Sequence, residues 1–326
     1  MPVDKWAGRT VVVTGGTGFI GSHFVEELLT AGATVRCLYR RDRHGVLQQL
    51  PATHRLVPVS LDVTDPHAMS DVITRDVDAV IHCASKTGTY RVRHEQPAHI
   101  LDESTRATET VLNCARANNV ADVVLISSSD IYLNPTTDPI QETDDYHNSM
   151  SYSPDGYYLA KLYQEMLAEA YRQEYGMNIF LPRLTGVYGP RDNFGGDIPR
   201  VVPQMLERVN SGAEIEIWGD GSQTRTFMYV TDMVRAVLAM VEKDKHHVLN
   251  IGTNETVSVL DLAKLVCASL GQPERIRFDL TRASGRSART LDVSKMYELL
   301  DPPPRPLREG IQQTADWYRQ RTGARA

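Results

Sequence analysis

Thr10-Val11-Val12-Val13-Thr14-Gly15-Gly16-Thr17-Gly18-Phe19-Ile20-Gly21 passes from an apolar strand, through a glycine-rich turn, into an amphipathic helix. The glycines at 15, 18 and 21 permit a tight turn, backbone approach to a pyrophosphate and close helix packing. Thr17, Phe19 and Ile20 complete the turn that opens the helix, whose N-terminal amides aim their positive dipole end at a bound phosphate. A glycine triplet alone could be any strand-to-helix turn, but this one has the required strand before it and helix after it. The stretch predicts a dinucleotide-binding unit.

Outward from this loop, short apolar runs alternate with helical periodicity. Strands are expected at Thr10–Val13, Thr34–Leu38, Leu56–Leu61, Ala79–Cys83, Val123–Ser127 and Ile179–Leu181. Helices are expected at Ser22–Ala31, Pro66–Arg75, Ile100–Asn118 and Tyr157–Tyr175. The fold class is therefore α/β: a Rossmann-type doubly wound parallel sheet with a smaller, mostly C-terminal α/β substrate domain. Residues 1–181 form the first domain, with a return near 231–252, and 182–326 form mainly the second. There a helix near Arg200–Asn210, strands at Glu214–Trp218 and Thr226–Val230, and a helix over Thr231–Glu242 are expected. Strands at His247–Ile251 and Arg275–Phe278 and a terminal helix at Leu307–Arg319 follow.

The 326 residues carry a net charge of −6, with 41% hydrophobic and 23% charged residues. That balance is globular and gives no electrostatic case for nucleic acid or an anionic membrane as partner. No apolar run approaches a membrane span of ~18 residues. Asp4, Lys5 and Arg9 stand where a signal peptide needs an apolar core, so a cytoplasmic location is expected. Cys37, Cys83, Cys114 and Cys267 lack CxxC spacing and read as buried thiols. The ten histidines show no HExxH or other ligand spacing, so no metal site is expected.

The second strand ends in Tyr39, followed by Arg40, Arg41, Asp42 and Arg43. A carboxylate that accepts from the adenosine ribose is missing there, and guanidinium groups stand where a 2′-phosphate would lie. NADP is the expected cofactor, with NAD the alternative and Asp42 a displaced acceptor in that case. Asp62 and Val63, after the third strand, are set to contact the adenine.

Tyr157-Tyr158-Leu159-Ala160-Lys161 puts Tyr157 and Lys161 on one helix face, four residues apart. A phenol has a pKa of about 10. A neighbouring ammonium and a cationic nicotinamide both favour its ionised form and make proton exchange feasible near neutrality. Tyr158, three residues from Lys161, remains an alternative on spacing alone. Earlier, Val123 to Ile126 is an apolar strand that ends in Ser127-Ser128-Ser129, hydroxyls able to hydrogen-bond a substrate carbonyl.

Together these stretches resemble the extended short-chain dehydrogenases/reductases, in the nucleotide-sugar epimerase, dehydratase and reductase group. TGGTGFIG at 14–21, SSSDIY at 127–132, YYLAK at 157–161, PRLTGVYGP at 182–190, TRTFMYVTD at 224–232 and LDVSK at 291–295 carry the match. The resemblance implies Ser128, Tyr157 and Lys161 as the catalytic set, with Tyr157 and Lys161 also touching the cofactor. It assigns Arg225 to the nucleotide diphosphate, with Arg289 a second phosphate candidate. Trp218 and Val201 to Pro203 fall on the base and ribose pocket, and Ser85 on the substrate side.

YGPRDNF at 188–194 and Thr281–Ser294 are closest in motif to the GDP-fucose synthase branch, which epimerises a 4-keto sugar at C3 and C5 before reducing it. The histidine of that branch is Arg191 here, its cysteine is Asp130, and an asparagine common in the group is Gly186. Asp130 shares a strand side with Ser128. It is read either as a catalytic carboxylate or, in preference, as a structural one bonding local backbone amides. The resemblance thus implies an NAD(P)-dependent 4-ketoreductase of a nucleotide-linked 4-keto(-6-deoxy)hexose without C3/C5 epimerisation. The alternatives are a 4-epimerase or 4,6-dehydratase with tightly bound NAD, and, remotely, a non-catalytic dinucleotide sensor. A homodimer packing Ile100–Asn118 and Tyr157–Tyr175 is expected.

Overall fold

β-branched runs form the strands and amphipathic runs the helices that cover them. The computed structural model describes every residue except 1–4, 43–44, 89, 149–151, 196–199, 283–289 and 324–326. In chain order come β1 (Thr10–Thr14), α1 (Phe19–Thr30), β2 (Thr34–Tyr39), β3 (Leu56–Ser60), α2 (Pro66–Val72), β4 (Ala79–His82), α3 (Tyr90–Glu95) and α4 (Pro97–Ala117). Next are β5 (Asp122–Leu125), β6 (Ser127–Ser128), α5 (Gly156–Tyr175), β7 (Ile179–Leu184), β8 (Gly186–Tyr188) and α6 (Val201–Asn210). Then follow β9 (Ile215–Trp218), β10 (Thr224–Tyr229), α7 (Val230–Glu242), β11 (Val248–Ile251) and β12 (Thr256–Ser258). The last elements are α8 (Val259–Ser269), β13 (Ile276–Asp279), α9 (Ser294–Tyr297) and α10 (Leu307–Thr322).

Contacts divide the chain into two units. The first comprises Met1–Asn134, Thr143–Leu184 and Val237–Leu249; the second comprises Pro135–Glu142, Thr185–Ala236 and Asn250–Ala326. In the first, strands run in the order β11-β7-β5-β4-β1-β2-β3, with β6 beside β7. β1 pairs in parallel with both β2 and β4, so strand order reverses at β1. Such a reversal opens a crevice at the carboxyl ends of the strands, where ligands bind in sheets of this kind. The core beneath joins Val12, Val80, Val123 and Leu125 of the sheet to Val111, Leu112 and Ala115 of α4.

The second unit has a three-stranded sheet, β12-β10-β8, and a two-stranded one, β13-β9. Its core gathers Leu206, Ile215, Leu262, Val266 and Ile311. Among the described residues no helix is long and apolar enough to cross a membrane.

Four local readings are corrected. α1 starts at Phe19 rather than Ser22, because Gly18 is extended and ends the turn. The single strand expected over Val123–Ser127 breaks at Ile126, which leaves β6 to pair with β7. α3, whose residues lack apolar periodicity, and α8, capped by Ser258 through the Asp261 amide, are additional helices.

Candidate active site

The loop between β1 and α1 is built to approach another backbone closely. Gly15 has φ +65°, and a Cβ there would lie 3.1 Å from the Ala84 backbone after β4. A Cβ at Gly21 would overlap the Gly15 carbonyl, so α1 can start this close only with glycine. The Gly16 amide donates to the Leu38 carbonyl at 2.8 Å and pins the loop to β2. The result is a cradle at the strand reversal whose backbone lies open to a pyrophosphate, and the residues present fit a dinucleotide.

Beside it lies an open cleft, lined among others by Gly15, Tyr39, Arg40, Asp62, Val63 and Ser85. Arg40 is not held in reserve for a phosphate: its Nη1 donates to Glu103 Oε1 at 2.6 Å and lies 3.7 Å from Asp62. Arg41 is exposed, and its carbonyl accepts from Thr17 Oγ1 at 3.2 Å. Asp42 is not a displaced ribose acceptor, because its carboxylate caps the next turn through the Val46 and Leu47 amides. Ser85 Oγ is buried without a hydrogen-bond partner among the described residues, as a group kept for a ligand would be.

The catalytic candidates share the first unit. Asp155 caps α5 by accepting from the amides of Tyr157 and Tyr158, and so fixes the turn that carries Tyr157. Lys161 Nζ stands 5.7 Å from the Tyr157 ring centroid. The ammonium donates to the Ile126 carbonyl at 2.5 Å and to Gln164 Oε1 at 3.2 Å, which ties α5 to the strand ending at Ser128. Burial pushes Lys161 down to about 8. His82, buried behind it, is pushed down to about 3 by burial, with the Lys161 charge adding, and is neutral. Tyr158 is buried and its phenol is raised by that burial; the ring beside the lysine's ammonium is that of Tyr157.

Strand alternation separates the serines. Ser127 turns inward to donate to Glu165, whereas Ser128 Oγ accepts from the Asp130 amide at 3.1 Å, leaving its proton to donate.

The preferred reading of Asp130, a carboxylate bonding local amides, is also corrected. Its Oδ2 accepts from Arg93 Nη1 of α3 at 2.8 Å. The same guanidinium lies 4.2 Å over the Tyr157 ring and 3.7 Å from Asp155. Arg93 is a neighbour of Tyr157 that sequence reasoning missed. α3 has a single aliphatic residue, Val92, and follows the fourth strand by loop, so nothing in its spacing marks one arginine among Arg91 and Arg93.

Beneath the site Arg183 is buried at 1% exposure. It donates to Glu165 Oε2 at 2.6 Å, Asp145 Oδ2 at 2.8 Å and the Tyr132 hydroxyl at 2.9 Å. Burial would lower it, but the charges of Glu165 and Asp145 hold it protonated.

In the second unit Arg225 is half-buried on β10 and donates to the Thr224 carbonyl at 2.7 Å. Among the described residues no carboxylate pairs with it, which leaves its charge for an anion. Trp218 is half-exposed, with Arg282 4.7 Å over its ring. Val201 is exposed at the start of α6 and Pro203 is buried. At Gly186 a Cβ would lie 3.0 Å from the Thr226 carbonyl, a tight contact for any side chain. Arg289 lies outside the described residues. Among those residues no acidic, cysteine or histidine group forms a metal cluster, and all four cysteines are free.

Comparisons with known proteins agree with this geometry. Residues 11–252 match a family model described as the NAD dependent epimerase/dehydratase family. Over 322 residues the chain is 46% identical to a dTDP-4-dehydro-6-deoxy-D-allose reductase of a Streptomyces species, covering 98% of this chain and 99% of that protein. It is 28% identical over 316 residues to GDP-L-fucose synthase 1 of Arabidopsis thaliana, covering 94% and 92%. In fold it is similar to a dTDP-glucose 4,6-dehydratase of Streptomyces venezuelae solved with NAD bound. That likeness has a TM-score of 0.83 and 25% identity, covering 96% of this chain and 98% of that one.

Proposed function

Because the chain belongs to the NAD dependent epimerase/dehydratase family, we propose that it reduces the C4 ketone of a nucleotide-linked 4-keto-6-deoxyhexose, without epimerising C3 or C5. The observation that carries this reading is the near full-length similarity to a 4-keto reductase. The Ser128, Tyr157 and Lys161 set supports it. The sugar is read as the 4-keto-6-deoxyallose type and the nucleotide as dTDP, on that relative's name.

When bound, the reduced dinucleotide supplies the hydride that C4 receives. Ser128 donates a hydrogen bond to O4, and Tyr157 delivers the proton that turns the ketone into an alcohol. Lys161, with two of its three protons engaged by Ile126 and Gln164, keeps one for a ribose hydroxyl of the cofactor. Its charge also favours the phenolate that remains after transfer. Arg225 grips the diphosphate of the sugar nucleotide, and Trp218 with Val201 and Pro203 receives its base and ribose. Purified protein given the 4-keto sugar nucleotide should consume reduced cofactor in step with product. Product formed without net cofactor use, from protein isolated with stoichiometric NAD, would replace this reading with the 4-epimerase one.

Epimerisation at C3 and C5 needs a base and an acid that exchange protons near neutrality. Asp130 is engaged by Arg93, and position 191 holds a guanidinium, which has N–H donors and no acceptor, in place of an imidazole. Turnover in D₂O should therefore give a product with no solvent deuterium at C3 or C5. Deuterium at both positions, entering at the rate of turnover, would overturn this part of the proposal.

A reduced nicotinamide dinucleotide is the proposed reductant; NADPH binding would rest on Arg41 and on Arg40, which must leave Glu103 to meet a 2′-phosphate. The double substitution Arg40→Ala and Arg41→Ala should weaken NADPH binding by ~1.5–3 kcal/mol, the scale of charge-assisted contacts, and leave NADH nearly unaffected. Equal losses for both cofactors would count against it. The subunit contact is assigned to α4 and α5, where Met166 and Tyr175 are exposed, giving a homodimer. Four free thiols suit a reducing cytoplasm.

A further inference from the structure

The adenosine end of the cleft holds four charged side chains. Arg40 and Lys86 are the cations; Asp62 and Glu103 are the anions. Glu103, from α4, is the hub: Arg40 Nη1 lies 2.6 Å from it, Lys86 Nζ 3.3 Å and His99 Nε2 3.6 Å. Asp62 reaches Arg40 only at 3.7 Å. β2 ends in Tyr39, and Asp42 is consumed by backbone amides, so neither offers a carboxylate to a ribose. We propose that Glu103 supplies that carboxylate from α4 and sets the choice between the two dinucleotides, opposing a ribose 2′-phosphate by holding Arg40 and Lys86.

This rests on the reading that the cleft binds the adenosine half of a nicotinamide dinucleotide. An unphosphorylated ribose brings only hydroxyls, which a carboxylate accepts from directly. A 2′-phosphate brings about two negative charges into a cleft whose cations already face Glu103. To bind it, Arg40 must leave Glu103, and the freed carboxylate then faces the phosphate at close range. Burial would raise Glu103, but the hydrogen bond from Arg40 and the charge of Lys86 hold it below the usual carboxylate range, so it is ionised at neutral pH. Lys86 is fixed in place because its amide donates to Ser104 Oγ, one residue along α4.

The test is equilibrium binding by calorimetry to wild type, Glu103→Gln, Glu103→Ala, Arg40→Ala and the Glu103→Gln/Arg40→Ala double variant. The ligands are NADP, NAD, adenosine 2′,5′-bisphosphate and AMP. Glu103→Gln and Glu103→Ala should bind NADP and the bisphosphate at least about fivefold tighter, the scale of a partly screened charge pair, while Glu103→Ala should bind NAD and AMP more weakly. In the Arg40→Ala background most of that gain should vanish, because Glu103 acts through Arg40. Unchanged NADP affinity in both Glu103 variants, or an equal gain for NAD and NADP, overturns the inference while leaving the reductase reading intact. A wild type that binds neither dinucleotide overturns both.

Discussion

Tyr157→Phe should lose turnover by at least ~10²-fold, the usual range for removing a positioned acid, while dinucleotide affinity stays near wild type. The substitution keeps the ring beneath Arg93 and removes only the proton that O4 requires. Tyr158→Phe is the control: that side chain is buried, and loss of its hydroxyl should leave the rate within a few-fold. In the wild type the reductive rate should fall as pH rises through about 8, where Lys161 gives up the charge that favours the phenolate. Steady-state kinetics with both variants decide the matter. An active Tyr157→Phe enzyme beside an inactive Tyr158→Phe one would reverse the assignment.

Arg183→Met should cost about 3–5 kcal/mol of stability, the scale for breaking a buried ion pair by removing one partner. Glu165 is fully buried and Asp145 nearly so, and both would lose the guanidinium that compensates them. The damage should reach the site as well, since Glu165 accepts from Ser127, the neighbour of Ser128. Burial without Arg183 favours the neutral carboxylic acid of Glu165. Protonation removes that uncompensated buried charge, so the stability deficit should shrink as pH falls. Urea unfolding of the variant at neutral and mildly acidic pH measures both effects. A midpoint equal to the wild type at neutral pH would mean that relaxation or water takes over the role assigned to Arg183.

Much of the site could be read from local pattern. The glycine turn requires a positive φ at Gly15 and no side chain at Gly21, which are demands on single residues. The Tyr157 and Lys161 pairing follows from helix geometry, and the cap at Asp155 sits within two residues of the tyrosine it positions. α8 was open to the same kind of reading, because Ser258 and Asp261 form a local cap ahead of an apolar run. β8 and β12 are three residues each, too short for periodicity to register.

The groups around that pattern are another matter. Asp130, Arg40 and Asp42 were visible as charges, but their partners are 37 residues away at Arg93, 63 away at Glu103, and in the amides of the next turn. A charged side chain has several reachable partners, and the backbone path through α3 and α4 selects among them. The sequence thus suffices for the α/β class, the glycine-rich loop and the pairing of Tyr157 with Lys161, because each depends on the conformation of a few adjacent residues. Which carboxylate neutralises which arginine, and so what charge the cleft and the tyrosine face, depends on distances between separate elements, and only the folded chain sets those.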